Sequence, residues 1–196
     1  NDMIYSGFSG IYVDRFGYED GGKKIEVELN NIIGKPTIVS DDSRLIYYNL
    51  TEYTNKLKGT MSQGDWENKQ DSVLHPITTV NGKGIYAEEK AEDYSYRWSD
   101  RKSEIRVFNK SNKPKYVTLS MKIVLGAPTT EPKIVNINGI IKDQLAVDNT
   151  IRLYTKSFTI PPGDHVISFE TDADYVEAPN DKRKMAFKFI DLIIKE

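Results

Sequence analysis

The run Lys115–Leu125, KYVTLSMKIVL, constrains this chain more than any other stretch. Val117, Leu119, Met121, Ile123 and Leu125 share one parity, and Thr118, Ser120 and Lys122 are among the residues of the other. A sustained period of two specifies a strand with one buried and one wet face, and it excludes an amphipathic helix, whose period is 3.6. One-sided strands are the mark of antiparallel sheets. Shorter runs recur at Tyr94–Trp98, Glu104–Asn109, Lys133–Ile137, Thr150–Phe158, His165–Thr171 and Met185–Ile194. They are separated by turn-rich segments at Asn109–Pro114, Asn136–Gly139 and Pro161–Asp164. Many short strands at this spacing predict a sandwich or barrel. In the last run Met185, Phe187 and Phe189 keep one parity while Leu192 and Ile194 keep the other, so a bulge is expected near Ile190. The expected core contains Val117, Leu119, Met121, Ile123, Ile167, Phe169 and Phe187.

The first part of the chain has a different rhythm. Gly10–Val13 reads as a short strand, and Lys23–Ile33 as a helix with Ile25, Leu29, Ile32 and Ile33 on one face. Gly34 and Pro36 then end that helix. Thr37–Val39 and Arg44–Asn49 read as strands, followed by a short helix capped by Thr51 and carrying Tyr53 and Leu57. Gly59–Val80 is polar with little periodicity and reads as a connection. The expected architecture is therefore mainly β. Residues 1–60 read as a small α/β segment and residues 61–196 as an antiparallel β-sandwich or barrel.

Composition narrows the function. Charged residues make up 29% of the chain and the formal net charge is −2, which argues against both disorder and a basic nucleic-acid binder. There is no cysteine, so disulfides, thiolate metal sites and a cysteine nucleophile are excluded. No run approaches the roughly 20 apolar residues that span a bilayer. The start at Asn1, running straight into structured sequence, suggests a piece of a longer polypeptide.

Candidate sites are few. In GFSGIYVDRFGYEDGG, Gly7–Gly22, a strand ends at Asp14 and Arg15, with Tyr18, Glu19 and Asp20 in the loop behind it. Strand ends that feed helices often carry function. The simpler reading has Asp14 consumed by loop amides or by Arg15, with Gly21 and Gly22 serving the turn, and it is the one favoured here. Tyr94, Tyr96 and Trp98 alternate in YSYRWS and share a face, with Arg97 opposite. Exposed, they would form a platform for the C–H faces of sugar rings. Buried, they would be sandwich core, and aromatic burial favours that. Trp66, in polar surroundings, is the better candidate for an exposed aromatic. His75 and His165 sit in no ligand motif. Asp172, Asp174, Glu177 and Asp181 are close in sequence but lack the glycine and terminal glutamate of a calcium loop, so no metal and no cofactor is expected.

Several phrases taken together, GFSGIYVDRFGYEDGG, SDDSRLIYYNL, YRWSDRKSEIRVFN, IPPGDHVISFETDA and APNDKR, resemble the extracytoplasmic C-terminal region of large bacterial polytopic membrane proteins of glycosyltransferase-like or phosphoglycerol-transferase (sulfatase-like) type. The resemblance implies that residues 1–60 are the end of a preceding α/β domain and that residues 61–196 form a jelly-roll-like antiparallel β-sandwich. It further implies that the whole is a non-catalytic accessory domain at a bacterial cell surface, tethered through membrane segments outside this sequence. Its partners would be a cell-surface glycan or polymer and the parent membrane domain in cis, with no nucleic acid. The alternative is part of a glycosidase or transferase using Asp14 with Glu19 or Asp20. That chemistry needs two carboxyl groups roughly 5–10 Å apart at one cleft.

Overall fold

The alternation of Lys115–Leu125 is realised as a strand whose odd positions are all buried, from Lys115 to Leu125. In the computed structural model, which describes residues 1–196, this strand belongs to the second of two units, Asn1–Leu74 and His75–Glu196. The second unit is a sandwich of two antiparallel five-stranded sheets. Its strands are β4 (Thr78–Asn81), β5 (Ile85–Lys90), β6 (Ser95–Ser99), β7 (Lys102–Asn109), β8 (Lys115–Leu125), β9 (Lys133–Gly139), β10 (Asp143–Val147), β11 (Arg152–Ile160), β12 (Gly163–Thr171) and β13 (Phe187–Lys195). One sheet has the order β10-β9-β12-β7-β4 and the other β11-β8-β13-β6-β5. Consecutive strands mostly alternate between sheets, so of the sandwich or barrel expected from the strand spacing the chain forms a sandwich with jelly-roll-like connectivity.

The core lies between the sheets. Leu119, Met121 and Ile123 of β8, Ile105 and Val107 of β7, Val135 and Ile137 of β9, Ile167 and Phe169 of β12, and Phe187 and Phe189 of β13 form one buried cluster. Phe189 meets Phe169 and Phe187 edge-on at 4.8 and 5.0 Å, the arrangement favoured by the ring quadrupole. Buried polar groups are satisfied: Asn109 donates to the carbonyls of Lys113 and Ile160, and the Ser99 hydroxyl donates to that of Ser103. No buried side-chain nitrogen or oxygen lacks a partner. The pairing of β13 with β8 shifts between Ile190 and Ile193, and Asp191 sits at φ 51°. This is the bulge that the change of parity called for.

The first unit places α1 (Asp2–Tyr5), β1 (Gly10–Asp14), a 3₁₀ turn (Arg15–Gly17), α2 (Lys23–Ile32), β2 (Ile38–Val39), β3 (Leu45–Asn49), α3 (Thr51–Lys58) and α4 (Gln63–Leu74) in that order. Its three strands form an antiparallel sheet of order β1-β3-β2. Val13, Ile46 and Tyr48 on one face pack against Leu29 of α2, with Ile25 and Ile33 beside it. Ile32, expected on that face, is exposed, because the helix ends there and the chain leaves through Gly34 at φ 100°. The start of α3 is capped by the Asn49 side chain, which accepts from the Thr51 amide, and not by Thr51 itself.

The segment read as a connection contains α4, and the first unit accordingly runs to Leu74. The periodicity is weak because a single large side chain, Trp66, does most of the anchoring. The local signal is a serine N-cap: Ser62 accepts from the Asp65 amide and its hydroxyl donates to the Asp65 carboxylate. No helix in the chain is long and apolar enough to cross a membrane.

Leu119 is fully buried in the inter-sheet cluster, so Leu119→Ala should destabilise the protein by about 2–5 kcal/mol. Urea unfolding would show a lowered midpoint with an unchanged slope.

Candidate functional site

The strand-end residues of the first unit are held by one another. Both oxygens of Asp14 are taken by Arg44, at 3.0 Å from Nε and 2.6 Å from the terminal nitrogen, and Asp14 also accepts from the Phe16 amide. The Arg44 guanidinium holds the Asp14 carboxyl below the usual carboxylate range. Arg15 forks onto Glu26 of α2 at 2.7 and 2.9 Å and donates to the Ser43 carbonyl. Its guanidinium in turn lowers the Glu26 carboxyl, and the pair ties the 3₁₀ turn to α2. Asp20 accepts from the amides of Gly22 and Lys24 at the start of α2, and those bonds keep its carboxyl low. Tyr18, Glu19 and Asp20 line a shallow hollow with Lys24, Ile25 and Glu28, and Asp14 and Arg15 are outside it. These candidates do not converge on one cleft.

Trp66 is 5% exposed. It packs edge-on against Tyr5 at 5.1 Å, and the Lys58 amine lies 4.8 Å from its ring. It is a core residue of the first unit, because α4 turns it inward where a loop would have left it out.

The alternating aromatics go the other way. Phe187 and Phe189 of β13 are core residues, and they pair with Ser99 and Arg97 of β6. Paired residues of an antiparallel ladder share a face, so Arg97 looks between the sheets and Tyr96 and Trp98 look outward, beside Ile190 and Lys188. Burial in the sandwich, the favoured reading of the sequence, is thus corrected. Tyr96 and Trp98 are half-buried and outside the core cluster, and Tyr94 is 42% exposed.

The row is a staircase, with ring centroids 6.0 and 6.4 Å apart and successive planes turned by 52° and 88°. The Lys188 amine lies 4.6 and 4.4 Å from the Tyr96 and Trp98 rings. The Tyr96 hydroxyl donates to Glu89, and burial followed by that carboxylate pushes the phenol up. Glu89 is in turn paired with Arg183, which also grips Asp181 through both carboxylate oxygens. This chain of contacts fixes the segment after β12 to the edge of the row. At Gly126 a Cβ would run into Trp98 and Val176, so glycine there lets both side chains settle on the backbone.

That segment also contains the acidic residues considered for calcium. Asp174 lies beside Arg101 and Asp181 is engaged by Arg183. No group of three metal-ligating side chains converges there or elsewhere in the chain.

Sequence reasoning passed over two features. Tyr12, 73% exposed, stacks with Tyr47 at 4.7 Å on the outer face of the first unit's sheet. A single exposed aromatic position in a strand carries no periodic signal. The second is a cleft of about 390 Å³ between the edges of the two large sheets, lined by Thr79, Asn81, Glu88, Ser95, Arg97 and Phe189 among others. Two of the strands that form it, β4 and β5, are too short and polar to stand out by alternation.

No protein-family model and no curated protein sequence matches the chain. Solved structures similar to it include a family 4 carbohydrate-binding module, at 14% identity over 61% of this chain and 85% of that one with a TM-score of 0.36. A family 35 carbohydrate-binding module from Clostridium thermocellum is 12% identical over 60% of this chain and 96% of that one, with a TM-score of 0.35. The mosquito-larvicidal Cry4Aa toxin from Bacillus thuringiensis is 9% identical over 60% of this chain and 23% of that one, with a TM-score of 0.40. At these identities and scores the likeness carries no inference about ligand or activity.

The Asp14–Arg44 pair generates a pH-dependent prediction. Because the folded carboxyl titrates below its ordinary value of 3.8, its contribution to stability is present above that pH and is lost as pH falls through the folded value. Asp14→Asn should lower the thermal midpoint modestly at neutral pH, as fits an exposed pair. The gap from the parent should close as pH is taken below 3.8.

Proposed function

We propose that this chain is a non-catalytic, extracytoplasmic accessory domain of a bacterial protein that assembles cell-envelope carbohydrate or polymer, and that it holds a glycan strand along Tyr94, Tyr96 and Trp98. The observation that carries the reading is the outward turn of this row. Three alternate aromatics sit on the solvent side of a sheet whose other face already forms the core.

Such side chains offer flat apolar faces to the C–H faces of sugar rings, and the adjacent Lys188 amine is a donor for ring hydroxyls. The stepped planes suit a single twisted strand better than a flat crystalline surface, which needs coplanar rings. The parent membrane domain would act in cis through segments outside this sequence. The alternative enzyme reading draws no support from Asp14, whose two oxygens are committed to Arg44, or from Asp20, which caps α2.

The test is binding of chain 1–196 to a panel of neutral and anionic bacterial envelope polysaccharides by affinity electrophoresis. At least one polymer should retard the parent chain. Trp98→Ala and Tyr96→Ala should each weaken that binding about tenfold, as expected for loss of roughly 1–1.5 kcal/mol of aromatic contact. Retardation by no member of the panel, or equal retardation of both variants, would refute the proposal.

A further inference from the structure

The cleft at the open edge of the sandwich breaks the rule that builds the rest of it. Positions that face the opposite sheet are apolar in the middle of β7, β8, β9 and β12, with buried polar ones such as Ser103, Asn109 and Lys115 only towards the strand ends, yet at this edge polar positions line an open cleft. Thr79 and Asn81 of β4 pair with Val107 and Ile105, both core residues, and therefore point toward the other sheet. From that sheet Arg97 pairs with Phe189, and Glu88 pairs with Arg97, so both point back. Ser95 shares their parity. All five line the cleft, above a floor that includes Phe189, Ile85 and Leu192.

Thr79, Asn81 and Glu88 are exposed although they face the other sheet, so the cleft is open and its polar walls are within reach of a ligand. The Arg97–Glu88 pair is partly closed, with one contact at 3.3 Å. The side chains of Thr79, Asn81 and Ser95 make no hydrogen bond within the protein, while other inward polar groups, such as Ser99 and Asn109, are fully paired. Sequence patterns that violate the local rule without internal compensation mark functional positions.

The backbone has been adjusted at the same place. The β5–β6 register shifts between Ile85 and Glu88, and the β13 bulge, with Asp191 in the left-handed region, delivers Asp191, Leu192 and Ile193 to the cleft wall. Bulges beside sites re-aim side chains.

We propose that this cleft is a binding site for a neutral, hydroxyl-rich ring of mono- or disaccharide size, separate from the aromatic row. Its volume falls in the ~300–1,000 Å³ range of small-molecule sites. The Glu88 carboxylate, the Arg97 guanidinium and the side chains of Thr79, Asn81 and Ser95 match neighbouring hydroxyls as acceptors and donors, and the half-buried Ile85 and Leu192 receive a C–H face. Arg97 is matched by Glu88 and Lys122 by Asp191, so no surplus cation is there to hold an anionic ligand.

The experiment is a titration of ¹⁵N-labelled chain 1–196 with methyl α-glucoside, methyl β-galactoside and methyl α-mannoside, with glucuronate as the anionic comparison. At least one neutral glycoside should move the amide signals of Asn81, Ser95, Arg97 and Leu192 saturably, and glucuronate should bind at least tenfold more weakly. Thr79→Trp, at an edge-strand position that tolerates an aromatic, should abolish the shifts by filling the cleft. Arg97→Gln should weaken them about tenfold or more, and Trp98→Ala should leave them unchanged. No saturable shift at these amides with any of the three neutral glycosides overturns the inference. So does equal binding of glucuronate, full binding by Thr79→Trp with its other amide signals unperturbed, or loss of binding in Trp98→Ala. Because Trp98→Ala removes the row and Thr79→Trp removes the cleft, failure of either site is told from failure of the other.

Discussion

The inward parity of β13 decides most of what the second unit can do. Phe187 and Phe189 fill the space between the sheets and are almost wholly buried, and each such side chain is worth roughly 1.5–3 kcal/mol over an exposed one. A one-residue slip would carry both into solvent. Once their orientation is set, the ladder sets that of β6: Ser99 and Arg97 must look inward and Tyr96 and Trp98 must look outward. The outward, half-buried aromatic row is thus a consequence of core packing in the neighbouring strand. The bulge after Ile190 extends the same logic, since it restores Leu192 and Ile194 to the inner side after Phe187 and Phe189.

The legibility of the sequence followed the strength of its alternation. The strand Lys115–Leu125 and the parity break in the last strand were both readable, because one sheet face excludes water and the other does not. The same signal misjudged Tyr94, Tyr96 and Trp98. Alternation states that three side chains share a face, but which face is inward depends on the partner strand, and that information lies some ninety residues away at Phe187 and Phe189. Trp66 failed for the opposite reason. Its helix has one dominant anchor and little periodicity, so the only local sign was the Ser62 N-cap with Asp65 three residues on. The cleft was invisible because β4 and β5 are short edge strands, and edge strands are where apolar alternation is weakest.

At the strand end of the first unit, ion pairs do the work of a core too small to fix its own loops. The Asp14–Arg44 contact joins the ends of β1 and β3, Arg15–Glu26 joins the following turn to α2, and Asp20 closes the first turn of that helix. These contacts are exposed or half-exposed, so each contributes little alone. Their effect comes from linking elements that are far apart in sequence. Carboxylates so engaged are held in the ionised form, which suits structural anchors and is the wrong state for a general acid.

Strand β6 has a different division of labour on its two faces. Its outward residues Tyr96 and Trp98 form the upper steps of the aromatic row, while its inward residues Ser95 and Arg97 line the cleft. The two surfaces lie back to back across one strand, close to the sheet edge, with only β5 beyond it. The outer side of that last strand is covered, because Tyr86 and Glu89 of β5 are held by Lys184 and Arg183 of the segment after β12. The row is therefore closed on its β5 side, and the cleft opens on the opposite face of the same two strands. Two surfaces of different chemistry thus share one pair of strands, and the alternation of β6 keeps them apart.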